Sequence, residues 1–522
     1  MHRFTLALAL LSAFLIGCGD ESIDEAAASS SGGTEPPEPL PPLASAPLTT
    51  DGTLVPMHAI ESAPAFTPDP RLPEDMDRFI TEGFGALGEG PPLEVVAHTL
   101  DDAPPPAGSG EPKLLLRFVH LADTQLADDE SPIRLVDFDS PGGETKAAFR
   151  PHEGHECRIL NAAVRTINVI HRDLPIEFVV LGGDNADNAQ ENELDWFSAV
   201  LDGSDRVHCD SGVDDDPVAG GNNDPKDPFM AEGLSMPWKW VTGNHDVLVQ
   251  GNFSVSGFEV DAVGGYSANG TRSWALPGGP VVSGDVPADP QRAVMSRARL
   301  VEKLSGSGDG RGLDDGAKSS GKAQYTFDVE GTPIRWIVLD TGAETGGADG
   351  LIRQGDVDAF LQPALDAAAA DGKWVILASH HSSDRLSDGG GFGGEVQADA
   401  ITPQEFRNLV GSYDNVLMHL AGHTHVHRVK KAVPSAGTTY WEVETSALAD
   451  WPHQLRLFEV YDQGDGVVSI RGVPFDFAVD DDPVAEDGRV RGVVDLTSGW
   501  GGDGSGAPEE RAVELWVKPS AP

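Results

Sequence analysis

Basic residues are scarce in this sequence. Lysine and arginine number 36 against 84 aspartates and glutamates, a formal charge of -48 spread along the chain and not gathered in one tail. Such a surface repels nucleic acid and anionic membrane, so neither is expected to bind the folded part, and the charge reads as a solubility feature of an extracytoplasmic or salt-exposed protein. Long apolar runs are lacking too. The one at residues 4–16 is short for a membrane-spanning helix but suits the h-region of a secretory signal. Cysteine is nearly absent: besides Cys18 there are Cys157 and Cys209, which leaves either one disulfide or two free thiols. There are no internal repeats, and no serine or cysteine is placed as a nucleophile.

The apolar run closes on Leu15-Ile16-Gly17-Cys18, which resembles a bacterial lipobox. That resemblance implies removal of residues 1–17 as a lipoprotein signal peptide and lipidation of Cys18. The protein is then expected at the cell envelope or outside the cell, its membrane contact confined to an N-terminal lipid anchor on a bacterial membrane. Residues 18–50 are rich in Ser, Gly, Glu, Ala and Pro and cannot bury a core, so they are expected to be a disordered tether. An irregular extension over 51–112, a main domain over 113–475 and a C-terminal extension over 476–522 follow. Gly, Asp, Asn, Ser and Pro dominate two insertions near 203–236 and 250–322, expected at the rim of the site as lids or as disordered segments. The Asp-rich stretch 210–216 has no regular calcium-ligand spacing and reads as a solvated loop.

From residue 114 onward, short apolar runs alternate with helix-period segments, the pattern of an α/β layered domain. Strands are expected at 114–121, 177–181, 239–242, 325–329, 334–339, 374–378, 416–420, 440–444, 456–460 and 467–470. Helices are expected at 159–171, 190–201, 355–370 and 403–409, the first with Leu160, Val164 and Ile167 on one face.

Five polar clusters occur where an apolar run has just ended: Asp123-Thr124-Gln125, Gly183-Asp184 with Asp187, Gly243-Asn244-His245-Asp246, His380-His381, and Gly422-His423-Thr424-His425. Singly each is a weak signal, since an Asp after a strand often caps a helix and a lone His is commonly a hydrogen-bonded structural residue. Together they offer carboxylates, amides and imidazoles, the donors that divalent first-row metals accept, in sufficient number for two ions with positions left for water and substrate. Placement at strand ends lets them converge.

The ordered clusters resemble the signature of the calcineurin-like metallophosphoesterases, a superfamily that includes purple acid phosphatases, over about residues 113–475. The resemblance extends to Leu339-Asp340-Thr341 and to Glu442-Val443-Glu444-Thr445-Ser446. It implies a four-layer α/β fold, a central β-sandwich of two mixed sheets flanked by helices. It further implies two divalent ions (Mn, Fe, Zn or Mg), the first held by Asp123, Gln125, Asp184 and His425 and the second by Asp184, Asn244, His380 and His423. Asp184 is the bridge. Where the family has His, this chain has Gln125, which either coordinates through its amide oxygen or hydrogen-bonds a water. His380 is preferred to His381 because it comes directly off the strand, as the family's ligand does. By the same resemblance His245 contacts substrate, with Asp187 or Asp246 orienting its ring; His427 and His453 read either as pocket-lining residues or, preferably, as structural or surface ones.

The implied activity is hydrolysis of a phosphate ester. A hydroxide shared by the two ions attacks phosphorus, and protonated His245 stabilises or protonates the leaving oxygen. The ligands do not separate phosphomonoesterase from phosphodiesterase. The rival reading from another class is a non-catalytic metal- or phosphate-binding surface lipoprotein whose altered first motif has abolished hydrolysis.

Overall fold

The computed structural model describes residues 37–60, 68–106, 111–141, 147–306 and 310–520. The expected signal peptide, Cys18 and the first part of the tether lie outside the described residues. Among the described residues no helix is long and apolar enough to cross a membrane. The rest of the expected tether, residues 37–50, runs against the folded body: Leu43 and Thr49 are buried, and the Thr49 hydroxyl donates to the Pro474 carbonyl at 2.7 Å.

Two large sheets carry the architecture. In chain order their strands are β1 (Val96–Thr99), β2 (Lys113–Leu121), β3 (Phe178–Leu181), β4 (Trp238–Lys239), β5 (Tyr325–Asp328), β6 (Ile334–Val338), β7 (Trp374–Ala378), β8 (Val416–Ala421), β9 (Arg428–Ala432), β10 (Tyr440–Glu444), β11 (Gln454–Gly464), β12 (Val467–Asp476) and β13 (Val513–Val517). Sheet one runs β1-β13-β12-β11-β2-β3-β4 and sheet two β5-β6-β7-β8-β10-β9. Both are mixed: β2, β3 and β4 are parallel while β11 is antiparallel to β2 and β12, and β6, β7, β8 and β10 are parallel with antiparallel strands at either edge. The parallel strands are covered on both faces, which is why Phe178–Leu181 and Trp374–Ala378 are apolar throughout instead of alternating.

Side-chain alternation builds the layers. In β6 and β7, Trp336, Val338, Ile376 and Ala378 face the sandwich interior with Phe118, Phe178 and Phe458 of sheet one. The Phe118 and Trp336 rings meet edge to face at 5.0 Å. The intervening Ile337, Val375 and Leu377 pack on the far side against Leu365 and Phe406. Each such fully buried apolar side chain stabilises the fold by roughly 1.5–3 kcal/mol. The helices that flank the sheets include α1 (Glu156–Asp173), α2 (Glu191–Asp202), α3 (Gln362–Ala370), α4 (Pro403–Val410) and α5 (Pro483–Thr497). Leu160, Val164 and Ile167 of α1 and Leu194 and Phe197 of α2 join the core of sheet one, while α3 and α4 supply the outer core of sheet two. The expected four layers, two mixed sheets flanked by helices, are thus present.

Several stretches differ from the sequence expectation. The boundaries at 113 and 475 fall inside sheet one, because β1 and β13, paired in parallel, form its edge. Residues 51–112 also hold a strand pair, Thr53–Pro56 with Leu87–Gly90, and a helix at Pro73–Thr81. The 203–236 insertion forms a hairpin of Ser204–Val207 with Phe229–Ala231 and is tied to α1 by a Cys157–Cys209 disulfide closing 52 residues. Its Asp210 side chain is not solvated but buried 3.3 Å from Lys226 Nζ. The helix expected at 355–370 contains one π turn, Val357–Leu361, ahead of α3.

Candidate metal centre

All five polar clusters stand at the carboxyl ends of β2, β3, β4, β7 and β8. Parallel pairing makes each set emerge at one edge, the place where ligands gather in α/β sheets. Backbone hydrogen bonds lock the two edges together. The His423 N–H donates to both Asp123 carboxylate oxygens at 3.0 and 3.1 Å, Gly422 N–H to the His380 carbonyl at 3.0 Å, and Gln125 N–H to the Asp184 carbonyl at 2.8 Å.

The local backbone is strained where the expected ligands sit. Asp123, Gln125, Asp184, His423 and His425 all have φ between +43° and +68°, a conformation that costs non-glycine residues of order 1–3 kcal/mol and persists only where the surroundings enforce it. Crowding supplies that enforcement. Gly183, at φ +86°, leaves no room for a side chain, since a Cβ there would lie 2.6 Å from His380 Nδ1.

Asp123 and Asp184 are 0% and 1% exposed. His380 Nε2 lies 3.0 Å from Asp184 Oδ2 and 3.9 Å from Asp123 Oδ1, and His425 Nε2 lies 3.2 Å from Asp123 Oδ1. The ligand atoms of Asp123, Asp184 and His380 all fall within 4.8 Å of one another. His380 Nδ1 donates to the Gly182 carbonyl at 2.7 Å, which fixes the tautomer and turns the Nε2 lone pair toward the carboxylates. His381 is spent differently: Nε2 donates to the Ala348 carbonyl at 2.9 Å and Nδ1 accepts from the Thr341 hydroxyl at 2.8 Å. Of the adjacent pair, His380 is therefore the one with a free donor atom, although His381 stands close to His423, ring centroids 4.4 Å apart.

Two expected donor atoms, Gln125 Oε1 and Asn244 Oδ1, are buried without a hydrogen-bond partner, and His380 Nε2 is opposed by carboxylates alone, Asp184 at 3.0 Å and Asp123 at 3.9 Å. In Asn244 the amide nitrogen is anchored to the Gly251 carbonyl at 3.0 Å, leaving the oxygen unpaired. Buried polar atoms left this way are costly, about 1–3 kcal/mol each, unless another group satisfies them. The electrostatics agree. Burial by itself would lower the imidazoles, yet Asp184 and Asp123 push His380 up to about 9, and Asp123 and Asp450 push His425 up to about 10. Burial would raise Asp184, but His380 and His245 hold it below the ordinary carboxylate range. The cluster favours positive charge, and its donor set fits divalent cations.

His245 stands beside the cluster. Its N–H donates to Asp184 Oδ1 at 2.8 Å. Its ring Nδ1 donates to the Asp187 carbonyl at 2.9 Å, with Asp187 Oδ1 at 3.0 Å, and Nε2 is left facing Asp184 Oδ2 at 4.0 Å. Asp187 is thus the orienting residue, itself held by Gln250 at 2.8 Å. Asp246 is not. Its two oxygens accept from the backbone of Gly243, Asn185 and Ala186 at 2.8–3.1 Å, so it pins the loop after β3 to the loop after β4 and has no contact with the His245 ring to offer.

Sequence reasoning missed Asp450. It accepts from His425 Nδ1 and from Arg150 Nε, fixing the His425 ring as carboxylates fix ligating imidazoles. No motif marks it; its only signal is a carboxylate shortly after β10, and Arg150 lies 300 residues away in sequence. His427 and His453 are buried and bonded within the body, to Ser446 and to the Leu448 carbonyl.

A mixed α/β sandwich that gathers carboxylate, amide and imidazole donors at its strand ends defines a metal-binding α/β protein. The chain belongs to the calcineurin-like phosphoesterase family, whose sequence profile matches residues 116–427, a span that holds all seven expected ligands. Divalent metal ions are implied by that membership. Among solved structures the chain is similar to a dimetal phosphatase from Danio rerio, at 14% identity over 70% of this chain and 100% of that one, with a TM-score of 0.38. It is also similar to a purple acid phosphatase from yellow lupin (Lupinus luteus) seeds, at 13% identity over 74% of this chain and 55% of that one, with a TM-score of 0.30. A comparison with curated proteins finds no match.

Proposed function

We propose that this protein hydrolyses phosphate esters at a site where Asp123, Gln125, Asp184 and His425 hold one divalent ion and Asp184, Asn244, His380 and His423 a second. The observation that carries this reading is the pair of buried, unpartnered donors, Gln125 Oε1 and Asn244 Oδ1, gathered with His380 Nε2 about the two buried carboxylates. Divalent ions, when bound there, attract phosphoryl oxygens and make water more acidic.

The chain's own residues do the rest. Asp123 and Asp184, 0% and 1% exposed, set the charge of the site inside a strongly negative protein. Gly182, through its carbonyl, and Asp450, through its carboxylate, aim His380 and His425. His245, its Nδ1 proton held by the Asp187 carbonyl, presents Nε2 toward the centre, where it can donate to the oxygen that leaves phosphorus.

The test is turnover of an aryl phosphomonoester and an aryl phosphodiester with chelator, without it, and with manganese restored. Hydrolysis that chelation abolishes and manganese returns supports the proposal, and the ratio of the two rates assigns mono- or diester preference. Inactivity toward both esters in the manganese-loaded protein overturns it. We also propose that Cys18 carries the lipid anchor, on the strength of Leu15-Ile16-Gly17-Cys18. Cys18→Ser should move the protein from the membrane to the soluble fraction, and unchanged membrane fractionation sinks the anchor.

A further inference from the structure

A cavity of about 530 Å³ opens beside the metal centre, and His245 is part of its wall. Its other walls come from far-apart segments: Phe138 after β2, Phe253 and Phe258 in the insertion after β4, and Phe392 in the loop that follows β7. Phe253 meets Phe392 edge to face with ring centroids 5.2 Å apart and lies 6.5 Å from Phe258. Among the described residues the cavity is lined by no lysine, arginine, aspartate or glutamate; Gln250, Asn252 and Asn269 supply its polar edges. In a chain with 84 acidic and 36 basic residues, a wall whose one titratable side chain among the described residues is His245 is a local exception.

The cavity is preformed. Phe253 and Phe258 rest on a small core of Ile133, Val249 and Ala262, so their rings are supported from behind, whereas Phe138 and Phe392 are 56% and 67% exposed. Large exposed aromatics around a concave, apolar surface next to reacting groups mark a binding site. Position decides what binds. Because His245 both faces the metal centre and lines the cavity, a phosphoryl group at the centre directs its ester oxygen, and whatever that oxygen carries, toward the phenylalanines.

We infer that this cavity selects phosphate esters whose alcohol part is an uncharged aromatic group. The inference rests on the reading of the centre as a phosphoesterase and adds the substrate class. Four phenylalanines offer ring faces and edges to an aromatic partner, which gains beyond simple burial. Among the described lining residues other than His245, a charged head group or a second phosphate meets no counter-ion and loses its hydration on entry. Phe253, Phe258 and Phe392 are specificity-determining residues, and none of them touches the reacting atoms.

Binding of non-hydrolysable phosphonates to the manganese-loaded protein, followed by calorimetry, tests this independently of turnover. Propylphosphonate, 3-cyclohexylpropylphosphonate and 3-phenylpropylphosphonate share one head group of nearly equal acidity. The phenyl compound should bind about tenfold or more tighter than the propyl compound and about threefold tighter than the cyclohexyl compound, which keeps the size and loses the ring electrons. Phe392→Ala, a change at an exposed side chain that leaves the fold intact, should reduce the phenyl-to-propyl ratio severalfold. Equal affinity for phenyl and propyl compounds, or binding of neither, overturns the inference; equal affinity for phenyl and cyclohexyl compounds overturns its aromatic part. Selective binding of the phenyl compound by a protein that hydrolyses no ester leaves the cavity assignment standing and sinks the proposed activity instead.

Discussion

Two buried acidic clusters in this molecule differ in what neutralises them. Around Lys226, which is itself buried, the ammonium lies 2.9 Å from Asp129, 3.0 Å from Glu130 and 3.3 Å from Asp210, and Arg292 lies 2.9 Å from Asp128. The chain supplies the cations. At the strand ends, Asp123 and Asp184 face the imidazoles of His380, His425 and His245, with the amide oxygens of Gln125 and Asn244 left unpartnered. Carboxylate density alone therefore does not mark a metal centre. The mark is a mixed donor set of carboxylates, imidazoles and amide oxygens in which the amide oxygens have no partner from the fold, on a backbone forced into left-handed turns. Both clusters follow from the cost of burying charge, which must be met by a cation from inside or outside the chain.

The sharpest test at the strand-end cluster is His245→Ala. It should lower kcat by about 10²–10⁴-fold while the metal content per chain, read by elemental analysis, stays at the parent value, because the proposed role of the ring is proton transfer and not coordination. Loss of metal together with activity would move His245 into the ligand set.

Next in size is Lys226→Met at the other cluster. Removing the central ammonium leaves Asp129, Glu130 and Asp210 buried against one another and should cost about 3–5 kcal/mol of stability, read from urea unfolding. If calcium or manganese restores the loss, the cluster is a cation site in its own right and the comparison breaks.

Asp450→Asn probes the support behind a proposed ligand. It removes the charge that holds the His425 ring and should weaken metal affinity about 10–100-fold in a competition titration with a chelator. An unchanged affinity would mean that His425 needs no orienting carboxylate or does not coordinate.

The smallest expected effect belongs to Gln125→His. If the Gln125 amide oxygen coordinates, imidazole nitrogen in its place should favour zinc over manganese by about tenfold or less, since nitrogen donors suit the softer ion. The same metal preference and affinity in both forms would leave Gln125 as a hydrogen-bonding neighbour of the site.

The convergence of the five polar clusters was legible in the sequence because strand ends announce themselves. An apolar run that stops at Leu121, Leu181, Ala378 or Ala421 fixes where a parallel strand emerges, and the polar residues that follow must lie at the sheet's edge. Ten of the thirteen sandwich strands were expected for the same reason. Of the three missed, β1 and β9 lie at sheet edges and β13 stands next to β1. β9, with the sequence Arg-Val-Lys-Lys-Ala, carries charge along its partly exposed face, and edge strands commonly carry charge to resist further pairing. α5 was missed as well. Val484, Ala485, Gly488, Gly492 and Val493 are buried around its circumference, which erases the one-sided pattern, and its glycines are where α5 crosses His155 and His453, a Cβ at Gly492 falling 2.1 Å from His453 Nε2.

The sequence by itself determined the donor types, their order and the strand ends that carry them, because those depend on residues adjacent in the chain. Only the tertiary structure decided which imidazole of the His380–His381 pair keeps a free nitrogen, that Asp187 and not Asp246 steadies His245, that Asp450 stands behind His425, and that four phenylalanines from three distant segments form one cavity wall. Each of those outcomes rests on which groups meet across long sequence separations, His380 with Gly182, 198 residues apart, and Arg150 with Asp450, 300 apart. Hydrogen-bond satisfaction and close packing are settled by neighbours in space, and local sequence pattern does not record them.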